Sequence, residues 1–338
     1  MSGITQNNKQ IAKWLFFVCF MIFTMVIVGG VTRLTESGLS MVNWHPISGI
    51  FPPMSEAAWD AEFAAYQQYP EYNKVNHGMS LDEFKAIFFW EYSHRLLGRL
   101  IGIVFFIPFM VFLFKGKVSA TLKPKLWFMF ILGGLQGVLG WWMVKSGLVD
   151  QPDVSHYRLT AHLGLAVLIF LYMFWVACGL VMTRCDRIRK RPTFAMGLLV
   201  TLVFIQILLG GLVAGLNAGF IYNTWPLMEE AFIPAGLFDM SPLMMNFFEN
   251  IKTVQFDHRM LAYAITLLAL YVWFKLRKDS HINVRMAGHL MLLAILGQVI
   301  LGILTLIHVV PIPLAAAHQG GAVITLAAGL FAMRRITA

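Results

Sequence analysis

Eight blocks of about 20 predominantly apolar residues punctuate the chain, near 14–31, 88–114, 126–144, 160–182, 194–216, 254–274, 286–307 and 313–333. An α-helix rising about 1.5 Å per residue needs that length to cross roughly 30 Å of hydrocarbon. Within hydrocarbon every backbone N–H and C=O must be satisfied internally, which leaves helices or closed barrels. The pattern predicts an all-α integral membrane protein with eight transmembrane helices. Charged residues are 13% of the 338, about half the share usual in a soluble domain, and a soluble globular enzyme is excluded.

The net charge of +9 would suit a nucleic-acid binder were it not sorted by loop. One set of loops and ends holds 17 basic residues: Lys9, Lys13, the lysines of 115–125, the basic runs of 184–191 and 275–285, and Arg334 with Arg335. Only Asp186 and Asp279 oppose them, a balance of +15, whereas the other set has 9 basic and 15 acidic residues, a balance of −6. By the positive-inside rule both termini are cytoplasmic, and nucleic acid is not a partner. Cys19, Cys178 and Cys185 fall in or at the inner ends of spans, so no outer-face disulfide is expected. No small-residue cleavage site follows the first block, which reads as a retained span. The first outer loop, roughly 33–86, is the longest; it holds Trp44, His45 and Pro46 and is expected to form short helices at the membrane surface.

The chain repeats itself. Gly29-Gly30 and Trp44 recur as Gly210-Gly211 and Trp225, His94-Arg95 as His258-Arg259, Gln136 and Gly140 as Gln298 and Gly302, and Ala161-His162-Leu163-Gly164 as Ala317-His318-Gln319-Gly320. The order is kept, and four crossings separate equivalent helices. We expect two tandem four-helix bundles of parallel topology, residues 1–184 and 185–338.

Each half then places two histidines near the outer ends of its second and fourth helices: His94 with His162, and His258 with His318. A single intramembrane histidine is most simply a packing residue, but four at repeat-related positions point to a site. Two facing imidazoles in an apolar bundle suit the axial positions of a haem. Zinc is the alternative, with no cysteine nearby and only two histidines per bundle. Arg95 and Arg259 follow a histidine at the level where haem propionates would sit, and Arg99 lies one turn below Arg95; the plain alternative for these arginines is snorkelling to lipid headgroups. Glu91 stands three residues before His94, where the second half has Gln255 before His258. On a helix, i and i+3 share a face, so Glu91 would border any ring held at His94 and could act as a base or stabilise developing positive charge. Its plain alternative is an ion pair with Arg95. Among the other histidines, His45 and His77 read as loop residues, His281 and His289 as cytoplasmic-side residues, and His156 and His308 as outer-surface residues of open role. The glycine pairs and the methionines in the spans read as packing devices and filler.

Glu91-Tyr92-Ser93-His94-Arg95, Phe256-Asp257-His258-Arg259, His162 and His318 together resemble the haem A synthase family across the whole chain. The resemblance implies oxidation of the C8 methyl of haem O to the formyl of haem A, by successive hydroxylations with water as oxygen source, for cytochrome oxidase. It implies a haem b held by His258 and His318, and a substrate haem O between His94 and His162, with Glu91 essential. Haem O would come from the haem O synthase, a farnesyltransferase, and electrons would leave to a membrane or soluble acceptor; a homo-oligomer stays open. One subgroup carries an outer-loop cysteine pair that is missing here, so no thiol relay is assumed. The long first loop, without a mitochondrial presequence, points to a bacterial inner membrane with the haem sites on the periplasmic side. A bis-histidine electron-transfer cytochrome b fits the four histidines equally well but gives no reason for the one-sided Glu91. A haem transporter would need a relay across the bilayer, and all four histidines lie near one face.

Overall fold

The computed structural model describes residues 5–43, 48–148, 153–182 and 192–337. Trp44, His45, Pro46, the run 184–191 with Cys185 and Asp186, and the expected boundary between 184 and 185 lie outside them.

Eight helices are long and apolar enough to cross a membrane: α1 (Gln6–Leu34), α4 (Leu81–Phe114), α5 (Lys123–Gly147), α6 (His156–Val181), α7 (Thr193–Gly215), α9 (Ile251–Leu276), α10 (Ile282–Ile307) and α11 (Ile312–Thr337). Every apolar block of the sequence matches one helix to within a residue at its end; every helix starts before its block, and four of the eight run past it at both ends. The overruns are largest at the starts of α1 and α4, and in α4 Ser80 and Glu83 form a reciprocal capping box well before the apolar block begins. The long loop between the first two spans does fold into short helices, α2 (Glu56–Tyr66) and α3 (Pro70–Lys74). They pack on the protruding turns of α4 through Tyr66, Phe84, Phe88 and Met41, a small core outside the bundle. A second outer excursion follows α7 and includes the single turn α8 (Asn246–Glu249).

Helix contacts fall into two matching sets. α1 packs on α4 and α6, and α5 on α6; in the same way α7 packs on α9 and α11, and α10 on α11. The sets meet through α6 against α7 and α1 against α11. Even the spacers correspond: a Cβ at Gly164 would meet Leu208 at 2.8 Å, and one at Gly320 would meet Ile27 at 3.1 Å. Glycine at these crossings lets helix backbones approach, as in other membrane bundles. Two buried cores result, one around Val18, Phe105, Phe109 and Phe170, the other around Val203, Ile265, Met291 and Leu326.

Candidate functional site

Between α1, α4, α5 and α6 lies a cavity of about 930 Å³ whose wall includes Glu91, His94, Arg95, Arg99 and His162. The structure therefore gathers all five candidate residues of the first half around one space. His94 and His162 are close enough to interact electrostatically, as are His258 and His318 in the second half.

Small residues seat the four rings in matched fashion. A Cβ on Gly140 would fall 2.8 Å from Cε1 of His162, and a Cβ on Gly302 would fall 2.8 Å from Cε1 of His318, so any larger residue displaces the ring. A Cβ on Gly29 would fall 3.4 Å from Nε2 of His94, and one on Gly210 would fall 3.4 Å from Cε1 of His258. The amide of Gln136 donates to the His162 carbonyl at 3.0 Å, and that of Gln298 to the His318 carbonyl at 2.8 Å. In the second half, His258 Nδ1 is buried without a hydrogen-bond partner among the described residues. An imidazole left over in that way beside a second imidazole fits the donor set of a bis-histidine haem.

The position three residues before the first histidine differs in kind between the halves. Glu91 is 2% exposed, and its carboxylate is fully engaged. Oε2 accepts from the Ser40 hydroxyl at 2.8 Å and from the Met41 backbone N–H at 2.7 Å, while Oε1 accepts from Arg95 at 2.5 Å. Gln255 instead donates, to the carbonyls of Ala218 at 3.2 Å and Tyr222 at 3.0 Å. The loop after α1 offers donors to this position and the loop after α7 offers acceptors. The acid and the amide each match the backbone they face.

The arginines bind loop backbone as well as facing the sites. Arg95 reaches the Met41 carbonyl at 2.9 Å besides Glu91. Arg259 donates to the carbonyls of Thr224 at 2.8 Å and Tyr222 at 2.9 Å, and it is 9% exposed, which is not a headgroup-snorkelling position. Arg99 lines the cavity below Arg95.

One expectation is corrected. The span glycines do not all serve close packing: a Cβ at Gly102, Gly133, Gly134 or Gly137 would meet nothing within 4 Å, and all four line the cavity. Their repeat counterparts are Thr266, Ile295, Leu296 and Val299. The missing side chains make the room. The signal was available as a glycine cluster on one face of α5, at i, i+1 and i+4. Glu71 was missed altogether; it is 5% exposed on α3, lines the same cavity, and takes a hydrogen bond from the Tyr66 hydroxyl. Burial chiefly, with help from the charges of Glu91, Glu36 and Asp153 and against the Tyr66 hydrogen bond, pushes its carboxyl up to about 8. Ser40 could not be found from periodicity because it lies in a loop.

Three other described histidines have partners of their own. His156 faces Glu249 at 3.5 Å, His308 caps α10 by bonding the Leu304 carbonyl at 2.9 Å, and His289 takes a bond from Trp273 at 3.0 Å. Cys19 and Cys178 are buried free thiols.

The family model COX15-CtaA, described as cytochrome oxidase assembly protein, matches residues 12–330. The chain is similar to the heme A synthase of Parvibaculum lavamentivorans, 51% identical over 330 residues that cover 98% of this chain and 95% of that one. It is 53% identical over 330 residues to the heme A synthase of Nitrosospira multiformis, covering 96% and 92% of the two chains, and 49% identical over 340 residues to that of Nitrosomonas eutropha, covering 98% and 95%.

Proposed function

The chain belongs to the COX15-CtaA family, the haem A synthases, and from that premise we propose how its two halves divide the work. It is a multi-pass membrane enzyme that oxidises a methyl group of haem O to give haem A. In our reading the two halves are tandem parallel bundles: the first takes the substrate between His94 and His162, and the second holds a haem b between His258 and His318, with Arg259 and Arg95 near the propionates. A bound haem b would supply one-electron transfer. The enzyme lies in a bacterial inner membrane with both termini cytoplasmic and the sites toward the periplasm. Haem O arrives from a farnesyltransferase, and electrons leave to a membrane or soluble acceptor.

The observation that carries this assignment is the glycine-hollowed cavity flanked by a histidine pair and a single buried acid. Haem O bears a farnesyl chain that haem b lacks. The apolar depth of the cavity, between Ile101, Phe105, Met129, Phe130 and Met173, suits such a chain. In the second half Ile295 is buried in the core at the place of Gly133.

The chemistry follows from Glu91. Oxidising a methyl with water as oxygen source yields a hydroxymethyl group with loss of two electrons and two protons, and repeating the step yields the gem-diol, which loses water to give the formyl. Positive charge develops at the ring edge as electrons leave. A fixed carboxylate beside it stabilises that charge and takes a proton from the methyl or the attacking water. Ser40, Met41 and Arg95 hold the carboxylate in place before the reaction begins.

Glu91→Gln tests this. The amide can keep one acceptor oxygen but not the four-electron-pair acceptor capacity of the carboxylate, and turnover is expected to fall by about 10² to 10⁴ while haem O still binds. Haem extracted from membranes with equal amounts of protein should be haem O or the hydroxymethyl intermediate. Unchanged haem A yield would overturn the role of Glu91 and return the cytochrome b reading to first place.

A further inference from the structure

Four carboxylates line the cavity wall: Glu91 and Glu71, both buried, and Glu36 and Asp153, both exposed. Glu71 interacts electrostatically with the other three. One of its oxygens is engaged with the Tyr66 hydroxyl, itself held by Asn76 at 2.8 Å, and the other, Oε2, is buried with no hydrogen-bond partner among the described residues. Leaving a buried carboxylate oxygen unmade is costly, and a group kept so is a candidate for a role.

The reaction supplies one. Every hydroxylation releases protons, and the same base is used twice on one methyl, so it must shed its proton before the second step. Resting on the reading of Glu91 given above, we propose that Glu71 is the relay that accepts the proton leaving Glu91, through intervening water, and passes it by Glu36 and Asp153 to the outer aqueous phase. No bond other than O–H changes: Glu91 loses the proton, Glu71 gains it as a neutral acid, and solvent takes it from there. Arg95 stays paired with Glu91. Arg33 stands 3.9 Å from Asp153 at the exit, and Lys145 and Arg99 also line the cavity. Glu71 is near-neutral in its titration, the condition for giving and taking a proton with similar ease. It acts through Glu91 as a positioning and relay residue.

The test uses membranes containing the full-length protein, supplied with haem O, with haem A formation followed between about pH 6 and 9 for wild type, Glu71→Gln, Glu71→Asp and Glu91→Gln. Wild-type rate is expected to rise with pH as Glu71 becomes able to accept. Glu71→Gln should be roughly 10-fold slower or more, lose that rise, and still bind haem O as tightly; Glu71→Asp should restore the rise. A wild-type rate and pH profile in Glu71→Gln overturns the relay. So does a proportional loss of haem O binding and turnover at every pH that Glu71→Asp does not restore, since that marks a purely structural residue. Glu91→Gln separates the two claims: if it is active, the reading of Glu91 falls, whereas if it is inactive and Glu71→Gln behaves as wild type, only the exit falls.

Discussion

The two halves share a histidine pair, a glycine under each second ring and a glutamine on each second histidine carbonyl, yet they differ in the side chains that α5 and α10 carry and in what stands three residues before the first histidine. The first half has Gly133, Gly134, Gly137 and Glu91; the second has Ile295, Leu296, Val299 and Gln255. α4 and α5 touch far less than α9 and α10 do. On the proposed assignment, a scaffold that holds a ring twice becomes asymmetric by a few substitutions. Removing side chains admits a larger ligand, and replacing an amide by an acid beside it supplies chemistry.

The difference is most sharply broken by filling the hollow. Gly134→Leu combined with Gly137→Val gives α5 the residues α10 has, and haem O turnover should vanish while the second half keeps its haem. Measured haem content and haem A yield together check this; undiminished yield would show that the cavity does not hold the substrate. The reverse exchange at the acidic position has a somewhat smaller effect. Gln255→Glu turns a carboxylate onto the carbonyls of Ala218 and Tyr222, which keep the Ile221 N–H and Arg259 as donors, and sets buried acceptor against acceptor at a cost of about 1–3 kcal/mol. Thermal unfolding in detergent should fall by several degrees, and no new chemistry should appear in that half. Arg259→Lys is smaller again. A point-charge ammonium cannot span the Thr224, Leu227 and Tyr222 carbonyls as the guanidinium does, so the outer loop loosens and haem exchange from the second half quickens severalfold.

The smallest effect is electrostatic. The Glu71 carboxyl is raised from 4.5 to about 8 on folding, so the folded state holds a proton that the unfolded state has released across that window. Stability contributed by the neutral form is present below about 4.5 and is lost as pH rises toward 8. Glu71→Gln should flatten that part of the melting-temperature profile, whereas an unchanged slope would assign it to other groups.

Much of this asymmetry was legible beforehand. Hydropathy fixed all eight helices because a span must be apolar over its whole length, and repeat offsets paired the histidines and isolated Glu91 against Gln255. What escaped had no periodic signature. Ser40 and the Met41 N–H act from a loop, and Glu71 sits on a helix of a single turn that is buried only because α2 and α3 fold onto α4. The cavity glycines were visible but ambiguous, since glycine in a membrane helix marks either close contact, as at Gly164, or empty space, as at Gly134. Only the position of the neighbouring helix decides between them.

The division of labour is tested most directly by asking which histidine pair holds which haem. The full-length protein is purified as the His258→Ala, His318→Ala variant and as the His94→Ala, His162→Ala variant, each titrated with haem O and its bound haem identified by spectrum and mass. The first variant should lack the low-spin haem b and still take up haem O; the second should keep haem b and fail to take up haem O. Retention of haem b without His258 and His318, or haem O uptake that survives loss of His94 and His162, would contradict the assignment of substrate to the hollow half.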